Sequence, residues 1–515
     1  MNQIRKAGMS ALFIIIFSLA SKILGFFREI LVASKFGSGM ETDAYFVALT
    51  ATSLLTILIW TAINTTLIPI LAEIEFKEGP STKIQHVNNM INIVSIITFI
   101  LTILVWLLAP IIIKIMASGF RGSQLDLAIS LTRIGIPKLI FSGSIGIFIA
   151  FLHSEQRFKS VSFIPMFSSF IIILYLLIFS NRFGIKGLMF ASFLSIAIQL
   201  IVLLPEVKSL RYKYKFIIDI KDKYLLKLGY LIIPILCGTA INEINTLVDR
   251  TLASKLIAGS ISALNYANKL NNLVLEVFIV AITTVIFPML SKGSNSNNMN
   301  SMKKIMGSGI NIILIITIPA TVGLIILSKP IVEIAFERGA FDTTATMMTS
   351  QALTFYSLGL VAMALRLLIT RVYYSLQDTK TPMINGAISV GFNIVLNLIL
   401  VRFMAHSGLA LATSIAANIA ILILMFGLKK KIGSWEAITY IKCGLKSGAA
   451  STVMGFVVYT IYYYMNLNLS NGAVYEIISL LTSVAIGIIV YLALCYVFRI
   501  EEVHTLLNTV KRKLQ

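Results

Sequence analysis

The sequence predicts an all-α polytopic membrane protein of about fourteen transmembrane helices: two six-helix lobes related by a pseudo-two-fold axis along the membrane normal, plus two C-terminal helices. Three observations carry this. The 515-residue chain is 57% hydrophobic and 13% charged with a mean hydropathy of +0.90, where soluble proteins carry about 25% charged residues. Its polar punctuation returns after roughly 220 residues. Its positive charge is distributed loop by loop rather than in one block.

The repeat is specific. Ala33-Ser34-Lys35 followed by Gly39 recurs as Ala253-Ser254-Lys255 followed by Gly259, and Ile68-Pro69-Ile70-Leu71 as Phe287-Pro288-Met289-Leu290. Ser154-Glu155-Gln156 returns as Ser375-Leu376-Gln377, and Gly187-Leu188 with Ala191-Ser192 as Gly408-Leu409 with Ala412-Thr413. Duplicated helical halves commonly enclose a transport path, so the repeat already bears on function.

Apolar runs of spanning length, about 17 to 25 residues or more, lie near 8–32, 44–71, 88–117, 128–153, 160–181, 185–205 and 227–251, then 262–290, 306–327, 349–375, 383–402, 408–428, 441–465 and 474–498. Residues 8–20 after Arg5-Lys6 resemble a signal peptide, but Lys22, Arg28 and a further apolar stretch follow without a small-residue cleavage site, so a retained first helix is expected. The expected division is an N-lobe at 1–205, a basic cytoplasmic linker at 206–226, a C-lobe at 227–428, and 429–515 holding the unduplicated helices and a tail. Cys237, Cys443 and Cys495 fall inside spans and are expected as packing residues.

The net charge of +21 would point to nucleic acid in a soluble protein. Here alternate loops hold about 25 Lys and Arg on one side against about 8 on the other, which places both termini in the cytoplasm and excludes a nucleic-acid partner. Lys208, Arg211, Lys213, Lys215, Lys221 and Lys223 make the linker the most basic inside loop, attractive to anionic headgroups.

Ionisable groups within the spans cost about 2.5 to 3.5 kcal/mol each at mid-bilayer, so each calls for a partner or a wet cavity. The first helix carries Lys22, Arg28 and Glu29. Lys22 and Glu29 share a face, Arg28 lies on the face of Ser21, and Gly25 permits a bend. Alternatively, Arg28 and Glu29 mark the solvated external end of a shorter helix. Asp43 follows the Gly37-Ser38-Gly39 turn and opens the second helix, either as a simple cap or as a gate residue that pairs with a cation.

In the second half Asn242, Asn245 and Asp249 form a polar stripe beside Arg250, and Lys269 and Glu276 share a face. Asn393 and Asn397, with Thr413, could turn oxygens toward the space of Asp249 as ligands for sodium, or could make interhelical hydrogen bonds. Arg366 and Arg371 precede Tyr373 to Pro382, a sharp inside turn. Lys114, Arg133, Lys138 and Lys446 are expected as interfacial anchors. A wet cleft lined by Lys22, Arg28 and Lys269 would attract an anion, and a lipid-linked diphosphate is the membrane-bound candidate.

At this point the residues resemble the MurJ/MviN family of lipid II flippases, in the superfamily that also holds multidrug and polysaccharide exporters. The resemblance is carried by Gly25-Phe26-Phe27-Arg28-Glu29 through Phe36 to Ala48, and by Tyr374-Ser375-Leu376-Gln377-Asp378-Thr379-Lys380-Thr381-Pro382. Leu131-Thr132-Arg133-Ile134 with Pro137, and Tyr266-Ala267-Asn268-Lys269-Leu270, support it. It implies a non-enzymatic flippase of the bacterial cytoplasmic membrane that carries undecaprenyl-diphosphate-linked peptidoglycan precursor outward by alternating access. The family's central-cavity residues map to Ser21, Lys22, Arg28, Asp43 and Lys269, and its sodium site to Asp249, Asn393, Asn397 and Thr413, with Asn397 standing where an aspartate is often expected; Asp43 and Glu29 are read here as gate residues.

Lysine replaces arginine at 22 and 269, which keeps charge but loses the planar fork, and a further family arginine is missing where Thr56-Ile57 stands. These departures fit a diverged lipid II flippase or an exporter of another polyprenyl-linked oligosaccharide or of drugs. The resemblance makes the last two helices a groove for the lipid tail. Expected partners are the lipid-linked diphosphate oligosaccharide, membrane lipids and the cell-wall synthesis machinery, with the chain itself a monomer and no cofactor beyond a sodium ion. A membrane glycosyltransferase would need an external catalytic loop, and only 328–348, with Glu333, Glu337 and Asp342, offers acidic residues.

Overall fold

The computed structural model describes residues 2–295, 298–433, 435, 437–468 and 472–504, leaving aside the side chains of 2–16, 159, 237, 242, 294, 295, 468 and 473. The expectations for Cys237 and Asn242 therefore lie outside the described side chains. Every regular element among the described residues is helical.

One compact unit comprises residues 1–262 with 338–341. It contains α1 (Asn2–Phe36), α2 (Met40–Glu78), α3 (Pro80–Met116), α4 (Gly122–Gly135), α5 (Lys138–Ser154), α6 (Lys159–Ile178), α7 (Ser180–Ser209) and α8 (Lys223–Ala253), and it takes in the start of α9 (Ser260–Val274). Its core forms where Ile63, Leu67, Ile70 and Ile74 of α2 meet Ile145, Phe148 and Phe151 of α5, with Leu203 and Val207 of α7. The outward row of α3, including Ile96, Ile100, Leu107 and Ile111, stays exposed, as a lipid-facing helix should.

The second unit comprises 263–337 and 342–515. After α9 a π-turn at Leu275–Ile279 leads into α10 (Val280–Asn295), followed by α11 (Met299–Ile326), α12 (Ser328–Phe336), α13 (Thr343–Ser357), α14 (Leu360–Ser375), α15 (Lys380–Ile432), α16 (Ala437–Asn468) and α17 (Ala473–Val497). Ile279, Leu290, Met306, Ile310, Leu368, Val372 and Leu424 form its core. A smaller cluster holds Cys443 and Cys495 with Met454, Val458 and Tyr491, so these two thiols are packing residues as expected. The Tyr491 hydroxyl donates to the Ile315 carbonyl at 2.8 Å and ties α17 to α11.

The expected count of fourteen spans is not reached on length and apolarity. Among the described residues nine helices qualify, or eleven when two bent pairs, α4 with α5 at 40° and α13 with α14 at 47°, each count as one crossing. Three expected crossings are missing: α1, whose described side chains include Lys22, Arg28, Glu29 and Lys35, and two more. The 53-residue α15 merges the expected spans 383–402 and 408–428 across a break at Ala405. Lys442, Lys446 and the Tyr462-Tyr463-Tyr464 run dilute the apolarity of α16.

The repeat is visible in the backbone of each unit separately. Ala405 (φ +48°) and Gly184 (φ +56°) break α15 and α7 at corresponding positions. Gln156 (φ +57°) and Gln377 (φ +58°) are the corresponding left-handed residues after α5 and α14, a conformation that is uncommon outside glycine. Ser154 and Ser375 each turn their hydroxyl back to a carbonyl three residues earlier, at 2.7 Å in both. Compactness nevertheless divides the chain elsewhere than the repeat does. α8 packs with the first unit, where Lys223 meets Glu78 at 2.6 Å and the Thr251 hydroxyl donates to the Met116 carbonyl at 3.1 Å.

Candidate functional site

α1 runs unbroken past Glu29 to Phe36, so Arg28 and Glu29 do not mark a helix end. The Arg28 guanidinium donates to the Glu29 carboxylate at 2.7 Å, and Glu29 is only 7% exposed, which rules out the solvated alternative. Beside this pair, the Tyr45 hydroxyl of α2 lies 3.3 Å from that of Ser192 on α7. Ser21 and Lys22 lie on the same helix at intermediate exposure. Lys138, expected as an interfacial anchor, is instead buried and donates to the Ser53 hydroxyl at 3.0 Å. The α4–α5 bend at Ile136-Pro137 swings its helix start inward, against α2.

Asp43 is also resolved into a definite role. Its Oδ2 accepts the Gly259 amide at 2.7 Å, and its Oδ1 accepts the Ser262 amide at 2.8 Å and hydroxyl at 2.7 Å. A carboxylate in the first turn of α2 thus caps the start of α9, where free amides and the helix dipole favour negative charge. Two backbone amides and the Ser262 hydroxyl supply the hydrogen bonds, and the Arg250 cation is close enough to act on the carboxylate electrostatically. Ser38 reinforces the contact, donating to the Gly259 carbonyl at 3.0 Å and lying 2.8 Å from the Ser262 hydroxyl.

Around Asp43 the turns are pressed backbone to backbone. The Ala340 amide donates to the Ser34 carbonyl at 2.8 Å, and a Cβ on Gly339 would fall 2.3 Å from that same carbonyl oxygen. The corresponding pair repeats it: the Gly119 amide donates to the Ser254 hydroxyl at 3.1 Å, and a Cβ there would fall 2.1 Å from the Ser254 carbonyl oxygen. Gly119 and Gly339, like Ser34 and Ser254, are 220 residues apart. Each half of the repeat lends a glycine turn to the serine of the other.

In the second unit the Asn393 side-chain amide donates to the Thr413 hydroxyl at 3.2 Å and that of Asn397 donates to the Asn393 side-chain oxygen Oδ1 at 2.7 Å. Three of the four expected residues thus come together in the second unit, and the fourth, Asp249, lies on α8 in the first. Lys269 is exposed on α9, and Glu276 falls in the π-turn that follows it. Arg371 lies over the Phe287 ring at 5.4 Å, and the Arg366 guanidinium lies against Gly386.

The sharp turn before Pro382 forms as expected. Asp378 accepts the Thr381 amide at 2.9 Å and hydroxyl at 2.7 Å, and the Lys431 ammonium at 2.7 Å. The Lys431 ammonium and the Thr381 amide hold its carboxyl down to about 2. Asp342 caps α13 through the Ala345 amide at 2.8 Å, so it serves the backbone rather than any reaction.

Sequence reasoning missed a second charged cluster in the first unit. Lys83, 1% exposed, bridges Glu75 at 2.8 Å and Glu155 at 2.6 Å and faces the Phe151 ring. Nearby, His86 joins Glu78 to Asp222, whose Oδ1 accepts the Tyr224 and Leu225 amides at 2.8 and 3.1 Å. Burial raises the Asp222 carboxyl, but His86 and these amides outweigh it and leave it below its ordinary range. The only local signal was Glu75 and Glu78 ahead of Lys83; the second carboxylate, Glu155, lies 72 residues further along the chain.

With this geometry in place, the comparisons are decisive about family. The family model described as lipid II flippase MurJ matches residues 32–483. The chain belongs to the MurJ family. The probable lipid II flippase MurJ of Rickettsia prowazekii is 28% identical over 505 residues, spanning 95% of this chain and 97% of the relative. That of Vibrio cholerae is 31% identical over 427 residues, spanning 80% and 81%. The solved structure of lipid II flippase MurJ in an inward closed conformation matches with a TM-score of 0.81 at 30% identity, over 95% of this chain and 99% of that one. An inward-facing MATE multidrug transporter matches with a TM-score of 0.69 at 15% identity over 81% and 98%, which shows a shared fold alone. The MurJ match begins inside α1, after Ser21, Lys22 and Arg28, and takes in Asp43, Asp249, Lys269, Asn393, Asn397 and Thr413.

Proposed function

We propose that this chain is a lipid II flippase, a transporter rather than an enzyme, which carries undecaprenyl-diphosphate-linked peptidoglycan precursor across the bacterial cytoplasmic membrane by alternating access. One observation carries the reading: full-length likeness, in sequence and in fold, to a solved lipid II flippase. Arg28, Lys22 and Lys269, with Ser21, are the groups assigned to the diphosphate, and Glu29 sets the position of Arg28. Asp43 is assigned to the gate: its three hydrogen bonds to the start of α9 have to break for the turns to part. α16 and α17 are assigned to the lipid tail, with both termini in the cytoplasm and 206–226 between the lobes 1–205 and 227–428. No coupling ion enters this reading.

The test is reconstitution with fluorescent lipid II and a membrane-impermeant quencher. The parent moves the label between leaflets and Arg28→Ala does not; equal rates for the two would remove Arg28 from the path. Rescue of a strain depleted of its own lipid II flippase checks the substrate. Failure to rescue, together with transport of a different polyprenyl-linked oligosaccharide, would favour the exporter reading that the lysines at 22 and 269 keep open.

A further inference from the structure

Between α7 and α8 the chain crosses residues 211–221 without helix, and three asparagines of α3 hold it there. The Asn88 amide donates to the Lys213 carbonyl at 3.0 Å, Asn92 to those of Lys215 and Ile217 at 3.3 and 2.9 Å, and Asn89 to that of Asp219 at 2.8 Å. The Asp219 amide returns a bond to the Asn89 side-chain oxygen at 2.7 Å. All three asparagines are buried. Alternate carbonyls, 213, 215, 217 and 219, thus face one helix, which is the periodicity of an extended strand lying edge-on.

In such a strand the side chains of even and odd residues leave on opposite faces. Here the two faces differ in kind. Phe216, Ile218 and Ile220 project from one, and Phe216 and Ile220 are 73% and 70% exposed. Lys213 and Lys215, also exposed, leave from the other, with Arg211 and Lys221 at the ends. The two acidic residues nearby are engaged locally: Asp219 accepts the Lys221 amide at 2.9 Å, and Asp222 caps α8. An aqueous loop has no use for three large apolar side chains on one fixed face, nor for buried amides that keep them there.

We propose that residues 211–221 form a rigid interfacial strap whose apolar face enters the headgroup boundary of the membrane while its lysines bind anionic phospholipid headgroups. Charge complementarity selects this occupant: an apolar face backed by lysines on the other side of one narrow strap, with side chains long enough to snorkel to the headgroups, matches an anionic bilayer surface. The strap is independent of what the protein carries.

The experiment uses full-length protein bearing Phe216→Cys labelled with the environment-sensitive dye NBD, and Lys213→Cys as the opposite-face reference. The unsubstituted chain, whose Cys443 and Cys495 are buried, is the labelling blank. In proteoliposomes of phosphatidylcholine with about 30% phosphatidylglycerol, the dye at 216 emits further to the blue and is quenched about twofold more by lipids brominated near the top of the acyl chain than in phosphatidylcholine alone. The dye at 213 stays open to iodide. Reversing charge with Lys213→Glu, Lys215→Glu and Lys221→Glu returns 216 to its behaviour in phosphatidylcholine. Equal iodide access at 216 and 213 in both membranes would overturn the proposal. So would protection of 216 that ignores both lipid charge and charge reversal, or protection present in native membrane vesicles but lost in both proteoliposomes, which would assign the face to a protein partner.

Discussion

Asp43 and Ser262, 219 residues apart, are joined twice: one carboxylate oxygen takes both the amide and the hydroxyl of the serine, at 2.8 and 2.7 Å. Asp43 is 2% exposed, so these bonds are made away from water. Removing the carboxylate leaves two amides and a hydroxyl at the start of α9 without their acceptor, a loss of about 1 to 3 kcal/mol. Asp43→Ala is expected to lower the thermal unfolding temperature in detergent and to make a cysteine placed at Ser38 more reactive to a soluble maleimide. Asp43→Asn, which keeps acceptor capacity, should fall between. Unchanged reactivity in both variants would show that the carboxylate does not hold the turns together.

The exchanged glycine contacts make a sterically sharper forecast. Gly339→Ala and Gly119→Ala would place a methyl 2.3 and 2.1 Å from carbonyl oxygens of Ser34 and Ser254, distances that only backbone separation relieves. Gly339 also has φ +63°, which adds strain for alanine. Each variant is expected to lose roughly 1 to 3 kcal/mol of stability and most of its transport. Gly25→Ala, whose new methyl would have its nearest neighbour at 4.0 Å, is the matched reference and should behave as the parent in both assays.

Arg28 has two roles that a single substitution confounds. Arg28→Ala strips the buried Glu29 carboxylate of the guanidinium 2.7 Å away, at a cost of roughly 3 kcal/mol, the low end for a broken buried pair because the arginine is partly exposed. Adding Glu29→Gln removes the carboxylate charge that the guanidinium offset and should restore most of the unfolding temperature. Flipping should stay lost in the double variant. Recovery of transport along with stability would make the arginine a structural counter-ion only.

The turn at Asp378 supplies a pH dependence with a definite sign. The Asp378 carboxyl, held down to about 2 in the folded chain, sits below its ordinary value near 3.9. The contribution of a depressed carboxylate is complete above its unfolded value and fades as pH falls through the folded one. The difference in unfolding temperature between the parent and Asp378→Asn is therefore expected to be constant from pH 7 to about 5 and to shrink steadily below about 4. A difference that grows on acidification would contradict the assigned Lys431 and Thr381 contacts.

The fold class, the helical repeat and the family were legible in the sequence because each is written along the chain. Apolarity over about 20 residues is a local property, and the correspondences 154 to 375 and 187 to 408 needed only comparison of one stretch with another. The same locality explains the inside turn, where Asp378, Thr381 and Pro382 are near neighbours. Arg28 and Glu29 were recognised as costly in a membrane from position alone, although which of the cations on α1 meets Glu29 was not. What the tertiary structure decided is who answers each buried polar group. Asp43, open to reading as a cap or a gate, caps a helix other than its own; Lys138, expected at the interface, is buried; Lys83 and the asparagines at 88, 89 and 92, which drew no expectation from the sequence, organise one end of the first unit. The physical reason is that burial cost is fixed by residue type, while the hydrogen-bond partner that offsets it comes from a segment 50 to 220 residues away, and no local pattern names that partner.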